Sequence, residues 1–320
     1  MNISILGTGA YGIALAHVFY SNNNKVCMWT KFQEELDTIS LKRENSKVLP
    51  GIKIPDDINI TCNLEECIKD SDIIVIAVPS NTIRGVVCEL GKYIKPDQII
   101  CIASKGMENE KNKFMSQVIE EEIPNSNICV VSGPSFAIEI ANDAKLGLIA
   151  ASKDNNSSMA VKLCLENDNV IVNTCIDVIG VQICASVKNV FAIILGMLNE
   201  KEDSTKATML TILLKDMKII VEVLGGKEQT VYNYAGIGDF LLTSMSDKSR
   251  NYTFGKNIAK GYTKDEAFEI MQTKTVEGIF ALKSIKQMLD QKEIEIESIN
   301  TLYSILYNGQ KVEDILKCIK

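Results

Sequence analysis

The first half of the chain alternates short, continuously apolar runs with longer amphipathic stretches. The runs at 2–6, 25–29, 73–78, 98–102, 128–131, 146–151 and 169–172 are short, rich in branched aliphatics and unbroken by polar positions. That is the signature of strands buried on both faces, as in a parallel sheet covered by helices. Between them, segments such as 10–21, 81–91 and 111–121 place apolar residues at helical spacing. The alternation predicts a doubly wound α/β domain over 1–178. Beyond it the strand-like runs cease. Residues 179–198, 205–224, 263–272, 276–290 and 296–308 repeat with the period of a helix, so 179–320 should form a mostly α-helical domain.

The first predicted strand runs directly into Gly7-Thr-Gly9-Ala10-Tyr11-Gly12, and the helix-forming residues Ile13–His17 follow. This is G-x-G-x-x-G in the strand–turn–helix setting where it carries meaning. Gly7 permits a tight turn, Gly9 lets the backbone approach a pyrophosphate, and Gly12 lets the helix pack close to the strand. The positive end of the helix would then receive the phosphates. The first domain therefore reads as a Rossmann-type, NAD- or NADP-binding domain. An acid at the end of the second strand holds the ribose 2′-hydroxyl in NAD-specific domains. Here that strand ends Met28-Trp29-Thr30-Lys31. Lys31 suits a 2′-phosphate and is equally compatible with a solvated helix-start lysine, while Glu34 and Glu35 lie further along.

The net charge is −7, with acids and bases interleaved. This advertises neither nucleic acid nor a membrane surface as a partner. The stretch Val190–Leu198 is short for a bilayer, so no membrane insertion is expected. The N-terminus has no basic, apolar leader pattern. The ten cysteines include no C-x-x-C pair, which fits reduced thiols in a cytoplasmic protein and gives no metal site. The single histidine, His17, lies behind the glycine turn, so a proton-transfer group must be sought elsewhere. A homodimer through the helical half is the one assembly considered, and no residue marks its interface.

Four segments offer chemistry. Ala77-Val-Pro79-Ser80-Asn81 and Ala103-Ser104-Lys105-Gly106 end strands, where open α/β sheets bind ligands. Ser132-Gly133-Pro134-Ser135-Phe136-Ala137 follows a strand and opens a helix, so its amides can meet phosphate or hydroxyl oxygens. Lys188-Asn189 interrupts an otherwise apolar helix. A lysine buried there must be paired or used, and desolvation lowers its pKa towards the range of a proton-transfer group; a snorkelling lysine has the same spacing. Further on, Gly236-Ile-Gly238-Asp239 and Ser249-Arg250-Asn251 supply an acid to balance Lys188 and a planar fork suited to phosphate.

Together these segments resemble the bacterial-type NAD(P)-dependent glycerol-3-phosphate dehydrogenases along nearly the whole chain. The resemblance is carried by GTGAYGIALA (7–16), LPGIKIP (49–55), SDIIVIAVPSN (71–81), SKGME (104–108), SGPSFAIEIA (132–141), VKNV (187–190), GIGDFLLTSMSDKSRNYTFG (236–255) and VEG (276–278). It implies that Lys188 exchanges the proton at the substrate C2 oxygen. Lys105, Gly133, Ser135, Asp239, Ser249, Arg250 and Asn251 would contact a small phosphorylated substrate, dihydroxyacetone phosphate or glycerol 3-phosphate. Ala10, Tyr11, Lys31, Lys105, Ala137, Arg250 and Glu277 would line the NAD(P) site. The chain departs from the family pattern at Tyr11 (usually tryptophan), Gln182 (usually acidic), Cys184 and Ser186 (usually small), and over 199–214, which lacks the usual glycines and arginine. Two other readings share the layout: a dehydrogenase of a 3-hydroxyacid or ketopantoate, and a non-catalytic NAD(P)H sensor.

Overall fold

The computed structural model describes residues 1–108, 111–273 and 275–319. The chain divides into two compact units, Met1–Lys105 with Met115–Val178, and Gly106–Phe114 with Ile179–Lys320. The sheet of the first unit uses β1 (Asn2–Leu6), β2 (Lys25–Trp29), β3 (Asn59–Thr61), β4 (Ile73–Ile76) and β5 (Ile99–Ile102). Two short strands, β6 (Met107–Glu108) and β7 (Lys113–Phe114), form a separate antiparallel pair in the second unit. The sheet is completed by β8 (Asn127–Ser132), β9 (Leu146–Ser152) and β10 (Val170–Cys175), in the order β10-β9-β8-β5-β4-β1-β2-β3. The helices of this unit are α1 (Ala10–Ser21), α2 (Gln33–Lys42), α3 (Leu64–Ile68), α4 (Ile83–Leu90), α5 (Met115–Glu122), α6 (Ala137–Ala141) and α7 (Asn155–Leu165).

β4 and β5 are buried at every position, as their uninterrupted Ile/Val sequences require of central parallel strands. One junction departs from the expected parallel sheet: β9 runs antiparallel to β8, with Val130 opposite Ala151. The reason is length. α6 has five residues and rises only about 7 Å, whereas a six-residue strand spans about 20 Å. The helix cannot carry the chain back to the start of the sheet. The helix expected over 111–121 also begins later, at Met115, because Lys113 and Phe114 pair with Glu108 and Met107.

The second unit contains α8 (Val178–Met197, its first residue counted with the first unit), α9 (Asp203–Val223), α10 (Asp239–Ser244), α11 (Arg250–Ala259), α12 (Lys264–Ile270), α13 (Glu277–Asp290) and α14 (Glu297–Tyr307). α8 is longer than its most apolar stretch. It has twenty residues, long enough to cross a bilayer, and its most apolar eighteen-residue window has mean hydropathy 2.0, yet 94% of that window is buried inside the protein. It is the central helix of this unit, and Phe191 meets Phe240 edge-on at 5.9 Å. α11 crosses α8 at glycines on both helices. A Cβ on Gly196 would sit 2.1 Å from the Tyr252 carbonyl oxygen, and one on Gly255 would sit 2.0 Å from that of Ile193.

A half-buried acid, Asp216 of α9, accepts a hydrogen bond from the Ser298 hydroxyl at the start of α14. Burial, with Glu297 nearby, pushes its carboxyl above the usual range against that hydrogen bond. A folded-state pKa above the unfolded one means the folded state holds the proton longer, so this group destabilises the fold as pH rises through the window between the two values.

Two outcomes follow from this packing. Gly255→Ala should lower the denaturation midpoint by the equivalent of about 1–3 kcal/mol or more, read by urea unfolding. Asp216→Asn should be more stable than the parent at neutral pH, with the difference vanishing as pH falls towards about 4; urea midpoints across pH check the sign.

Candidate active site

On the first unit, the glycine turn has three different physical reasons for its three glycines. Gly7 has φ +120° and a Cβ there would lie 2.9 Å from the Ala77 carbonyl oxygen. At Gly12 a Cβ would lie 2.3 Å from the Gly7 carbonyl oxygen. Gly9 has ordinary extended backbone (φ −71°, ψ 172°) and a Cβ would meet nothing within 4 Å. Neither strain nor packing demands glycine at that position, so the space before it is free for a ligand to approach the backbone. Gly9 also caps α1 without a side-chain hydrogen bond, and the first turn of α1 holds no acid. The positive end of this twelve-residue helix is therefore left for an external anion, the arrangement that a dinucleotide pyrophosphate uses.

Lys105, Gly133, Ser135 and Tyr11 are brought into one cluster at the carboxyl ends of the strands. Lys105 Nζ donates to the Gly133 carbonyl at 3.3 Å and lies 5.9 Å from the centre of the Tyr11 ring. Ser135 Oγ donates to the same carbonyl at 2.9 Å and lies 3.1 Å from the Tyr11 hydroxyl. Gly133 has no room for a side chain, since a Cβ would meet the Gly147 carbonyl oxygen at 2.5 Å. Ala137 is the first residue of α6. Lys31 is exposed just past β2. Glu35, the nearby acid, is occupied: Thr30 Oγ1 donates to one of its oxygens and Asn45 Nδ2 to the other at 2.9 Å.

On the second unit, Lys188 is only 4% exposed and its ammonium lies 2.6 Å from Asp239 Oδ1. It also donates to Thr243 Oγ1 at 2.9 Å, and Thr243 Oγ1 is 3.4 Å from Asp239 Oδ1. Local structure aims this group. Asn233 Oδ1 accepts from the amides of Ala235 and Gly236, opening a π-turn (Tyr234–Gly238) that is kinked at Gly236 and delivers Asp239 as the first residue of α10. Thr243 follows at i+4, on the same helix face.

A second buried chain begins one residue later. Asn189 Nδ2 donates to Glu277 Oε2 at 3.1 Å, Asn251 Nδ2 donates to Asn189 Oδ1 at 2.9 Å, and the Gly278 amide donates to Asn251 Oδ1 at 2.8 Å. Ser249 caps α11 by accepting from the Tyr252 amide. Arg250, in the first turn of α11, is exposed and donates to Thr275 Oγ1 at 3.4 Å. Sequence reasoning gave no role to Thr243 or Asn189. Thr243 was signalled only by its i+4 spacing from Asp239, and Asn189 by being a second polar residue in an apolar helix. Gln182, Cys184 and Ser186 are buried in α8, where the Ser186 hydroxyl donates to the Gln182 carbonyl. His17 is half-buried, and burial holds its imidazole below the usual range. Among the described residues, no group of three or more His, Cys, Asp or Glu side chains could hold a metal ion.

The family model for the NAD-dependent glycerol-3-phosphate dehydrogenase N-terminus matches residues 2–158, and that for its C-terminus matches residues 177–317. The chain belongs to this family. A relative named glycerol-3-phosphate dehydrogenase [NAD(P)+] from Enterococcus faecalis is 34% identical over 98% of this chain and 94% of its own length. One of the same name from Fusobacterium nucleatum is 33% identical over 98% and 95%. The crystal structure of the Coxiella burnetii glycerol-3-phosphate dehydrogenase superposes with a TM-score of 0.92 at 28% identity, covering 99% of this chain and 97% of that one. The matched stretches reach into both units.

Removing one member of a buried ion pair strands the other. Asp239→Asn should lower stability by about 3–5 kcal/mol, and the double replacement Lys188→Met with Asp239→Leu should regain much of that loss, as read from urea midpoints.

Proposed function

We propose that this protein interconverts dihydroxyacetone phosphate and sn-glycerol 3-phosphate with NADH or NADPH. The observation that carries the reading is the buried Lys188–Asp239–Thr243 group in a chain that matches the dehydrogenase family over both units. When bound, the reduced nicotinamide supplies a hydride to substrate C2. The Lys188 ammonium gives a proton to the C2 oxygen in that direction and takes it back in the other. Asp239 offsets the ammonium charge in a site that excludes water, and Thr243 holds the amine in line. Asn189, tied to Glu277 and Asn251, keeps the adjacent turn of α8 in register.

Arg250 offers the substrate phosphate two parallel hydrogen bonds, with Ser249 and Asn251 beside it at the start of α11. Lys105, Gly133 and Ser135 complete the substrate contacts by analogy with the family. The turn at Gly7, Gly9, Ala10, Tyr11 and Gly12 holds the cofactor phosphates. Lys31, with Glu35 already engaged, supports acceptance of a 2′-phosphate. Ala137, Arg250 and Glu277 are the remaining cofactor contacts. The product would feed glycerophospholipid synthesis. All ten cysteines are unbridged and, among the described residues, the one helix long and apolar enough to cross a membrane is buried, which supports a cytoplasmic protein not inserted in a membrane.

The test is oxidation of NADH and of NADPH by dihydroxyacetone phosphate, followed by the absorbance of the reduced nicotinamide. Lys188→Ala should lower kcat by about 10²–10⁴-fold while cofactor binding persists. Near-normal turnover by that variant would overturn the assignment of the proton-transfer group. A wild type that binds NADPH without turning over any phosphorylated ketone would favour the sensor reading.

A further inference from the structure

The segment LPGIKIP at 49–55 stands out in the sequence, yet the reaction makes no use of it. In the structure it is tied to the turn that carries Asn45. The Leu49 and Val48 amides donate to the Asn45 carbonyl at 3.0 and 3.1 Å, and the Ile54 amide donates to the Arg43 carbonyl at 2.7 Å. Asn45 is 6% exposed and lies in the connection between α2 and β3. Its side chain reaches back to the glycine turn. Asn45 Nδ2 donates to the Thr8 carbonyl at 3.0 Å and to Glu35 Oε1 at 2.9 Å. A side-chain amide nitrogen carries two hydrogens, so each has its acceptor.

Each of these two bonds bears on a dinucleotide. The Thr8 carbonyl and the Gly9 amide belong to one planar trans peptide and point in opposite directions. Turning the carbonyl towards Asn45 turns the Gly9 amide away from it, at the helix start where a pyrophosphate binds. At the other bond, Glu35 is held by both oxygens, with Asn45 on one and the Thr30 hydroxyl on the other. The Thr30 hydroxyl in turn accepts from the Phe32 amide at 3.3 Å. Thr30 and the exposed Lys31 stand just past β2, where Rossmann domains receive the adenosine ribose. A carboxylate released at that corner can accept the 2′-hydroxyl of NAD, and it repels the 2′-phosphate of NADP.

We propose that Asn45 is a positioning and specificity-determining residue for the coenzyme: it aims the Gly9 amide at the pyrophosphate and keeps the Glu35 carboxylate turned from a ribose 2′-phosphate. The inference rests on the NAD(P)-dependent reading above. Asn45 acts through Thr8 and Glu35. Losing its amide frees one oxygen of Glu35 and sets a negative charge against the phosphate that Lys31 would attract.

Titration of the whole chain with NADH and with NADPH, followed by reduced-nicotinamide fluorescence, gives both dissociation constants without turnover. Asn45→Ala should weaken both, and NADPH by about tenfold more than NADH. Adding Glu35→Gln to that variant should restore the ratio of the two constants while the common loss remains. Thr30→Val, which frees the other Glu35 oxygen with little change of shape, should move the ratio in the same direction and serves if Asn45→Ala does not fold. A ratio that Asn45→Ala leaves unmoved, or that Glu35→Gln does not restore, would overturn the proposal and leave the NAD(P) reading standing. A wild type that binds neither coenzyme would overturn both.

Discussion

A lysine ammonium sits inside the most apolar helix of this protein, and much of the second unit can be understood as what is needed to keep it there. An unpaired charge in such a place costs several kcal/mol even after relaxation. Asp239 and Thr243 meet that cost at 2.6 and 2.9 Å, and both come from a single turn of α10. The irregular backbone before α10 is the visible expense: the Asn233 cap and the kink at Gly236 bend the chain so that a carboxylate arrives at the right depth. In the proposed reaction the proton would leave a pair that packing already holds in place. Electrostatic preorganisation of this kind is the main source of catalytic power in many enzymes.

The first unit solves a different problem, that of presenting backbone to a ligand. Its site has few charged side chains. It has strand ends, amides and three glycines, of which two are required by the protein's own contacts and one, Gly9, by none of them. Lys105 and Ser135 both direct their donors to the carbonyl of Gly133, so the strand-end loops are tied together from within.

Much of the sheet was legible in the sequence because strands buried on both faces must be continuously apolar, whereas a strand with one face in water alternates. β3 was not, since two of its three residues, Asn59 and Thr61, are polar and it lies at the sheet edge. The reversal of β9 was hidden because direction is decided by the length of a connection, which the apolar pattern does not encode. α10 and α11 were not among the helices expected from the pattern, yet the residues at their starts, Asp239 and Arg250, stood out by chemistry. Lys188 was conspicuous as a charge in an apolar helix. The roles of its partner Thr243 and its neighbour Asn189 were not, because hydroxyls and amides are common on any helix and only three-dimensional packing distinguishes the few that are buried.

The antiparallel pair of β6 and β7 has a consequence for how the chain comes together. Met107 and Phe114, 3% and 1% exposed, belong to the apolar core built by residues after 179. A ribosome releases them long before the helices that cover them exist. Until α8 and its successors emerge, two large apolar side chains and then a twenty-residue helix with a bilayer-like hydropathy must wait in water. Such exposed intermediates are prone to aggregate. Neither unit is an uninterrupted stretch of chain, so cutting the gene at 178 would leave a fragment carrying an orphaned β6–β7 pair. Any domain dissection would have to excise or redesign Gly106–Phe114.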